Sequence, residues 1–187
     1  MREEFKQYLV SLYQEIPQGI YEGFLSIFCL GVISFVVWKG IKTGLRYSAV
    51  LLLIEYAFFL ICSTVVFRVT HETRRFDFHP FWSYRAIQEG RVELILENIM
   101  NVAVFVPVGL LVGLVTLNKL KLFKAGLLVF GIGLFLSVSI EALQFFLKRG
   151  FSEFDDIFHN TLGCLIGFML VAVAKGIWLL QKRSLTN

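Results

Sequence analysis

The chain has 187 residues, 57% of them hydrophobic, and a formal net charge of +4; its mean hydropathy is +0.72. Soluble domains are only about 45–50% apolar, and here the apolar residues run unbroken rather than in amphipathic stripes. That excludes a water-soluble globular domain and reads as an integral membrane protein of one domain. The basic residues flank the apolar runs, where lipid headgroups account for them, so nucleic acid is not an expected partner. Cys29, Cys62 and Cys164 lie far apart inside apolar runs. They offer no disulfide or metal-ligand spacing and read as small buried hydrophobes.

Residues 1–18 carry Phe5, Leu9, Leu12, Tyr13 and Ile16 at helical spacing between charges, and Pro17 closes the segment. This predicts an interfacial amphipathic helix ahead of a transmembrane bundle over residues 19–187. Crossing a bilayer takes about 20 apolar residues. Five stretches qualify: 20–38, Tyr47–Phe67, Asn98–Leu117, Ala125–Leu147 and Ile157–Leu180. The fold class is therefore all-α, a bundle of about five transmembrane helices. Glu55 lies within the second span, as a bundle pair or a protonated acid. Pro107 should kink or break the third, and Lys175 should snorkel from the end of the fifth.

The long connection, residues 68–97, is polar and aromatic, with a short helix expected over Arg85–Glu97. Arg74, Arg75 and Arg85 suit phosphate or carboxylate, which a guanidinium fork matches; a solvated basic loop at the headgroups is the plainer reading. The turns 39–46 and 118–124 hold basic residues and no acid, whereas twelve of the fourteen acids fall on the other side of the bundle. The positive-inside rule then puts the C-terminus in the cytoplasm and the long connection and the 148–156 turn outside.

Ser137–Gly167 concentrates the polar residues. On one helix face lie Ser137, Glu141, Gln144 and Lys148, and on the next helix Asp156, Asn160, Gly163 and Gly167. Such stripes should face inward, towards each other, since ionisable groups are costly in hydrocarbon. They serve either as a functional site or as polar glue between helices. Asn98 and Asn101 open the third span on the same side, so all of these groups can meet at one depth. Asp155 and Asp156 suit a divalent cation, with His159 one helical turn on; this spacing is common by chance, and no metal or cofactor is assigned. No nucleophile elbow, phosphate-binding glycine loop or HExxH motif is present.

The segments FHPF (78–81), ENIMNVAVFVPVGLLVG (97–113), SIEALQ (139–144) and RGFSEFDDIFHNTLGCLIG (149–167) resemble the VanZ-like family of bacterial membrane proteins over residues of about 74–170. The family pattern is a Pro-Phe after an arginine-containing loop, an Asn-rich Phe-x-Pro-x-Gly span, a Glu-x-x-Gln pair, and Arg with Asp-Asp and Asn-Thr-x-Gly. This chain departs from it at Phe78 and His79, where Asn-Leu is expected. The resemblance implies a multi-pass protein of the bacterial cytoplasmic membrane linked to low-level resistance to lipid-bearing glycopeptides such as teicoplanin. It implies no mechanism or catalytic residues.

Two function classes follow. One is a non-catalytic envelope protein that binds or alters outer-leaflet lipid-linked components. Its partners would be membrane lipids, a lipid-linked cell-wall precursor or a lipoglycopeptide, held by Arg74, Arg75, Asn98, Asn101, Gln144, Arg149 and Asn160. The other is a membrane-embedded enzyme acting on a lipid-linked envelope precursor, with Glu141 as acid or base and Asp155 and Asp156 beside it. A transporter is less favoured, because the five spans show no evident repeat.

Overall fold

The computed structural model describes residues 41–117 and 119–185, with side chains from Tyr47 onward. The expected interfacial helix at 1–18 and the first expected span at 20–38 lie outside the described residues. Among the described residues four helices are long and apolar enough to cross a membrane. The first is α1, Ile41–Ile61, which runs on through a π-helical turn at Cys62–Val66. The others are α3, Glu93–Thr116; α4, Leu122–Leu147; and α5, Phe154–Ser184. Between α1 and α3 lie a two-residue strand, β1 (Phe76–Asp77), and a short helix, α2 (Trp82–Gln88). A second strand, β2 (Ser152–Glu153), joins α4 to α5.

The centre of the bundle is the α3–α5 contact. No aqueous phase drives helices together within hydrocarbon, so close backbone approach and packing must do so, and small residues permit it. A Cβ on Gly163 would stand 2.1 Å from the Val102 carbonyl oxygen, and one on Gly167 would stand 2.1 Å from that of Val106. The face of α5 bearing these glycines therefore turns to α3. The polar face bearing Asn160 meets α4, where Asn160 donates to Ser137 at 2.9 Å. Phe105, Val108, Val129, Ile140, Cys164 and Phe168 fill the interior. Cys62 and Cys164 are free thiols, and Cys164 is wholly buried.

Pro107 does not end α3, which is helical from Glu93 to Thr116. Proline leaves the helical ladder short of a donor. The carbonyl left without its ladder donor is that of Ala103; next to it, the Val104 carbonyl accepts from the Tyr56 hydroxyl at 2.7 Å, a tie from α1 to this part of α3. The Lys175 ammonium, at the far end of α5, donates to the Leu117 carbonyl and so caps α3 rather than only reaching for solvent.

The long connection departs from its expected form. No helix spans Arg85–Glu97: α2 ends at Gln88, Gly90 takes φ +105°, and α3 begins at Glu93. Only glycine adopts that conformation without strain. The 148–156 turn is tied down as well. Strands β1 and β2 pair in parallel, Phe76 with Ser152 and Asp77 with Glu153. The Ser152 N–H donates to the Arg75 carbonyl at 3.1 Å, and the His71 N–H donates to that of Lys148 at 2.8 Å. Both connections thus form one layer across the end of the bundle where α1 and α4 finish and α3 and α5 begin.

Candidate functional site

Beneath that layer the polar residues of α3, α4 and α5 converge. Asp155, with no exposed surface, accepts from the backbone N–H groups of Phe81 and Ser83, the latter at 2.9 Å, and from the Ser83 hydroxyl at 2.6 Å. Phe81 sits in the left-handed region at φ 59°, where the chain enters α2. A carboxylate from α5 thereby satisfies the free N–H groups at the start of α2, a demand every helix start makes. Asn98 donates to the same Ser83 hydroxyl at 3.2 Å.

One residue on, Asp156 accepts from Asn101 at 2.6 Å. Glu141, 4% exposed, accepts from the Glu153 N–H at 2.8 Å. Glu153 in turn accepts from the Trp82 indole at 2.9 Å. These acids stand close enough for Asp156 to act on both Glu141 and Glu153, and for Glu97 to act on Asp156. Arg68 is the cation whose charge reaches both Asp156 and Glu97. Glu153 lies just ahead of α5. Its burial, followed by the charge of Asp156, pushes its carboxyl up to about 8, as expected where the ionised form is poorly solvated.

Gln144 and Arg149 serve another element. The Gln144 amide donates to the Thr64 carbonyl at 3.0 Å, and the Arg149 guanidinium donates to the Val65 and Val66 carbonyls. Together they satisfy the last carbonyls of α1 and its π turn. His159 turns Nε2 to the Tyr84 hydroxyl at 2.8 Å, with the two rings stacked. Among the described residues no three His, Cys, Asp or Glu side chains gather to hold a metal.

Arg74 and Arg75 stay apart from this buried group, at the exposed face of the layer. The Arg74 guanidinium lies 5.4 Å from the centre of the Phe145 ring, and that of Arg75 lies 5.5 Å from the Phe151 ring. Around them Phe76 stacks on Phe78 at 5.2 Å, and Phe145 stands edge-on to Phe76 at 5.4 Å. Phe76, Phe78 and Phe146 are all exposed. The outer face is thus a platform of cations resting on aromatic rings. His79 stands at its edge; its backbone N–H and ring hold Asp77 and keep that carboxyl below the usual range.

A family model described as VanZ/LLP1 matches residues 47–175. The chain belongs to the VanZ/LLP1 family. No curated protein and no solved structure is matched. The VanZ/LLP1 region runs from Tyr47 in α1 through most of α5, including both connections and every hydrogen bond of the buried group. Its reach ahead of residue 74 is explained by the structure, since α1 and its π turn hold Gln144 and Arg149. Sequence reasoning did not assign Arg68, Glu97, Glu153, Ser83 or the phenylalanines of the platform to the site. For Glu97 a signal existed: it precedes Asn98 directly and falls one turn before Asn101, on the same side of α3.

Proposed function

We propose that this VanZ/LLP1 protein is a non-catalytic component of the bacterial cell envelope. Its layered face binds an amphiphile of the outer leaflet, either a lipid-linked cell-wall precursor or a lipoglycopeptide such as teicoplanin, and so lowers susceptibility to that class of drug. The observation that carries the reading is the pair of exposed guanidiniums on the Phe145 and Phe151 rings. Guanidinium meets phosphate or carboxylate, and the neighbouring rings meet an acyl or aryl group, which are the two halves of such a ligand. The carboxylates support it from the other direction: Glu141, Asp155 and Asp156 each already accept from the chain's own donors. The membrane is the bacterial cytoplasmic one, with the C-terminus inside.

The enzyme reading retains one favourable observation, the burial of Glu141 beside other acids, which is the setting of a tuned acid or base. One experiment separates the two. A deletion strain is complemented with wild type, with Arg74→Gln/Arg75→Gln, or with Glu141→Gln, and the protein level is measured alongside susceptibility. Deletion should sensitise cells to teicoplanin more than to vancomycin, which lacks the lipid tail. The arginine pair should fail to restore resistance although the protein accumulates, and Glu141→Gln should restore it, since an amide oxygen still accepts from the Glu153 N–H. An inert Glu141→Gln at normal abundance would favour catalysis. Equal susceptibility of deleted and parent strains would remove the resistance reading.

A further inference from the structure

At the opposite end of the bundle the structure contains a second feature that the proposed function does not use. Helices α1 and α4 run in the same direction and both pack on α3. Among the described residues their main contact lies near the end of α1, where the π turn touches α4. Towards their starts they diverge, leaving a groove of about 850 Å³, within the ~300–1,000 Å³ range of pockets that take small ligands. Leu53, Ile54 and Ala57 of α1 form one wall, and Val108 of α3 lines the groove between the helices. The other wall is a stripe of α4 from Lys124 to Leu136, about 18 Å long at 1.5 Å per residue. Small residues keep the groove open: a Cβ on Gly131 would touch nothing within 4 Å.

The lining is apolar except at one end, where Lys124 is the charged group. Lys119 and Lys121 belong to the same turn, and both are exposed. No acid occurs between Glu97 and Glu141 or after Asp156, so this end of the described bundle carries no negative charge to answer the lysines. A long apolar trough with cations at its mouth is complementary to an acyl chain with an anionic head. Basic pockets between transmembrane helices are a known way of holding such heads.

We infer that the α1–α4 groove is a binding site for an anionic phospholipid, with one acyl chain along the stripe from Leu127 to Leu136 and the phosphate at Lys124. This site is independent of the platform at the other end, and it can fail or stand without it. The test uses the full chain, purified, delipidated and incubated with phosphatidylglycerol or phosphatidylcholine, with bound lipid counted by native mass spectrometry. Wild type should retain phosphatidylglycerol over phosphatidylcholine by about fivefold or more, the order that one lysine contributes near an anionic surface. Lys124→Gln should abolish that preference. Gly131→Trp, which fills the trough, should lower retention of both lipids, and Lys182→Gln on α5, outside the groove, should leave the preference intact. Lys124 is exposed, so its variant should fold, and melting of each variant checks this. Equal retention of the two lipids by wild type would overturn the inference, as would a folded Lys124→Gln with unchanged preference. A disulfide between Gly131→Cys and native Cys29 would also overturn it, because the segment around Cys29 would then fill the groove itself.

Discussion

Glu153 links the buried acids to a measurable pH dependence. Burial, then the charge of Asp156, raises its carboxyl from an ordinary 4.5 to about 8. The folded protein therefore holds a proton that the unfolded chain has released between those two values, and stability falls as pH rises through that window. The contribution is fully present below the unfolded pKa and is lost as pH passes the folded one. Glu153→Gln removes the ionisation while leaving an amide oxygen for the Trp82 indole. In detergent, wild type should lose several degrees of melting temperature between acidic and mildly alkaline buffer, and Glu153→Gln should lose clearly less; parallel loss in both would place the pH dependence in the other acids. The string FSEFDD shows the neighbouring charge of Asp156 but not the burial that dominates, nor the Trp82 indole, 71 positions away, whose hydrogen bond works against the rise. Asp155 is equally opaque: its partners at Ser83 are 72 positions away, so its hold on the start of α2 has no local signal.

At the scale of elements, the long helices were legible because hydrophobicity sets them directly. The expected span Tyr47–Phe67 ends within one residue of the observed π turn at Val66, while its start falls inside α1, which is already helical at Ile41. The ends fared worse: α3 starts at Glu93 and α5 at Phe154, ahead of the expected Asn98 and Ile157, since polar first turns do not register as apolar runs. Strands of two residues have no period to detect, so the β1–β2 pair was invisible. The glycine stripe was seen, but its partner was not: Gly163 and Gly167 face α3 rather than α4. That assignment is testable. Gly163→Leu would drive a side chain into the Val102 carbonyl, and overpacking of this kind costs at least about 1–3 kcal/mol. Gly176, with nothing within 4 Å of its Cβ position, is the control. Melting of the purified protein should drop for Gly163→Leu and hold or rise for Gly176→Ala, because alanine is the better helix former. A Gly163→Leu protein as stable as wild type would mean that α3 and α5 are not in backbone contact.

For the whole molecule, charge is sorted by end. The layered end carries Glu72, Asp77, Glu89, Glu93, Glu97, Glu153, Asp155 and Asp156 among its charges, while the opposite end has lysines and arginines and, in the described residues, no acid. Lys and Arg alone do not separate the two sides, but the 119–124 turn holds only basic charges, and the positive-inside rule then predicts a cytoplasmic position for that end. Reading sidedness by thiol labelling needs exposed positions. The 148–156 turn does not provide one at Ser152, which is 1% exposed beneath the paired strands. Thr73 and Lys121 are both exposed and lie at opposite ends. In a background with Cys29, Cys62 and Cys164 replaced, Thr73→Cys should react with a membrane-impermeant maleimide in intact cells, and Lys121→Cys should react only after permeabilisation. The reverse pattern would turn the Arg74–Arg75 platform to the cytoplasm, where an extracellular glycopeptide does not reach it, and would end the outer-leaflet proposal. The groove at Lys124 would survive that reversal with its ligand drawn from the other leaflet, because the match between a cationic mouth and an anionic head is the same on either side.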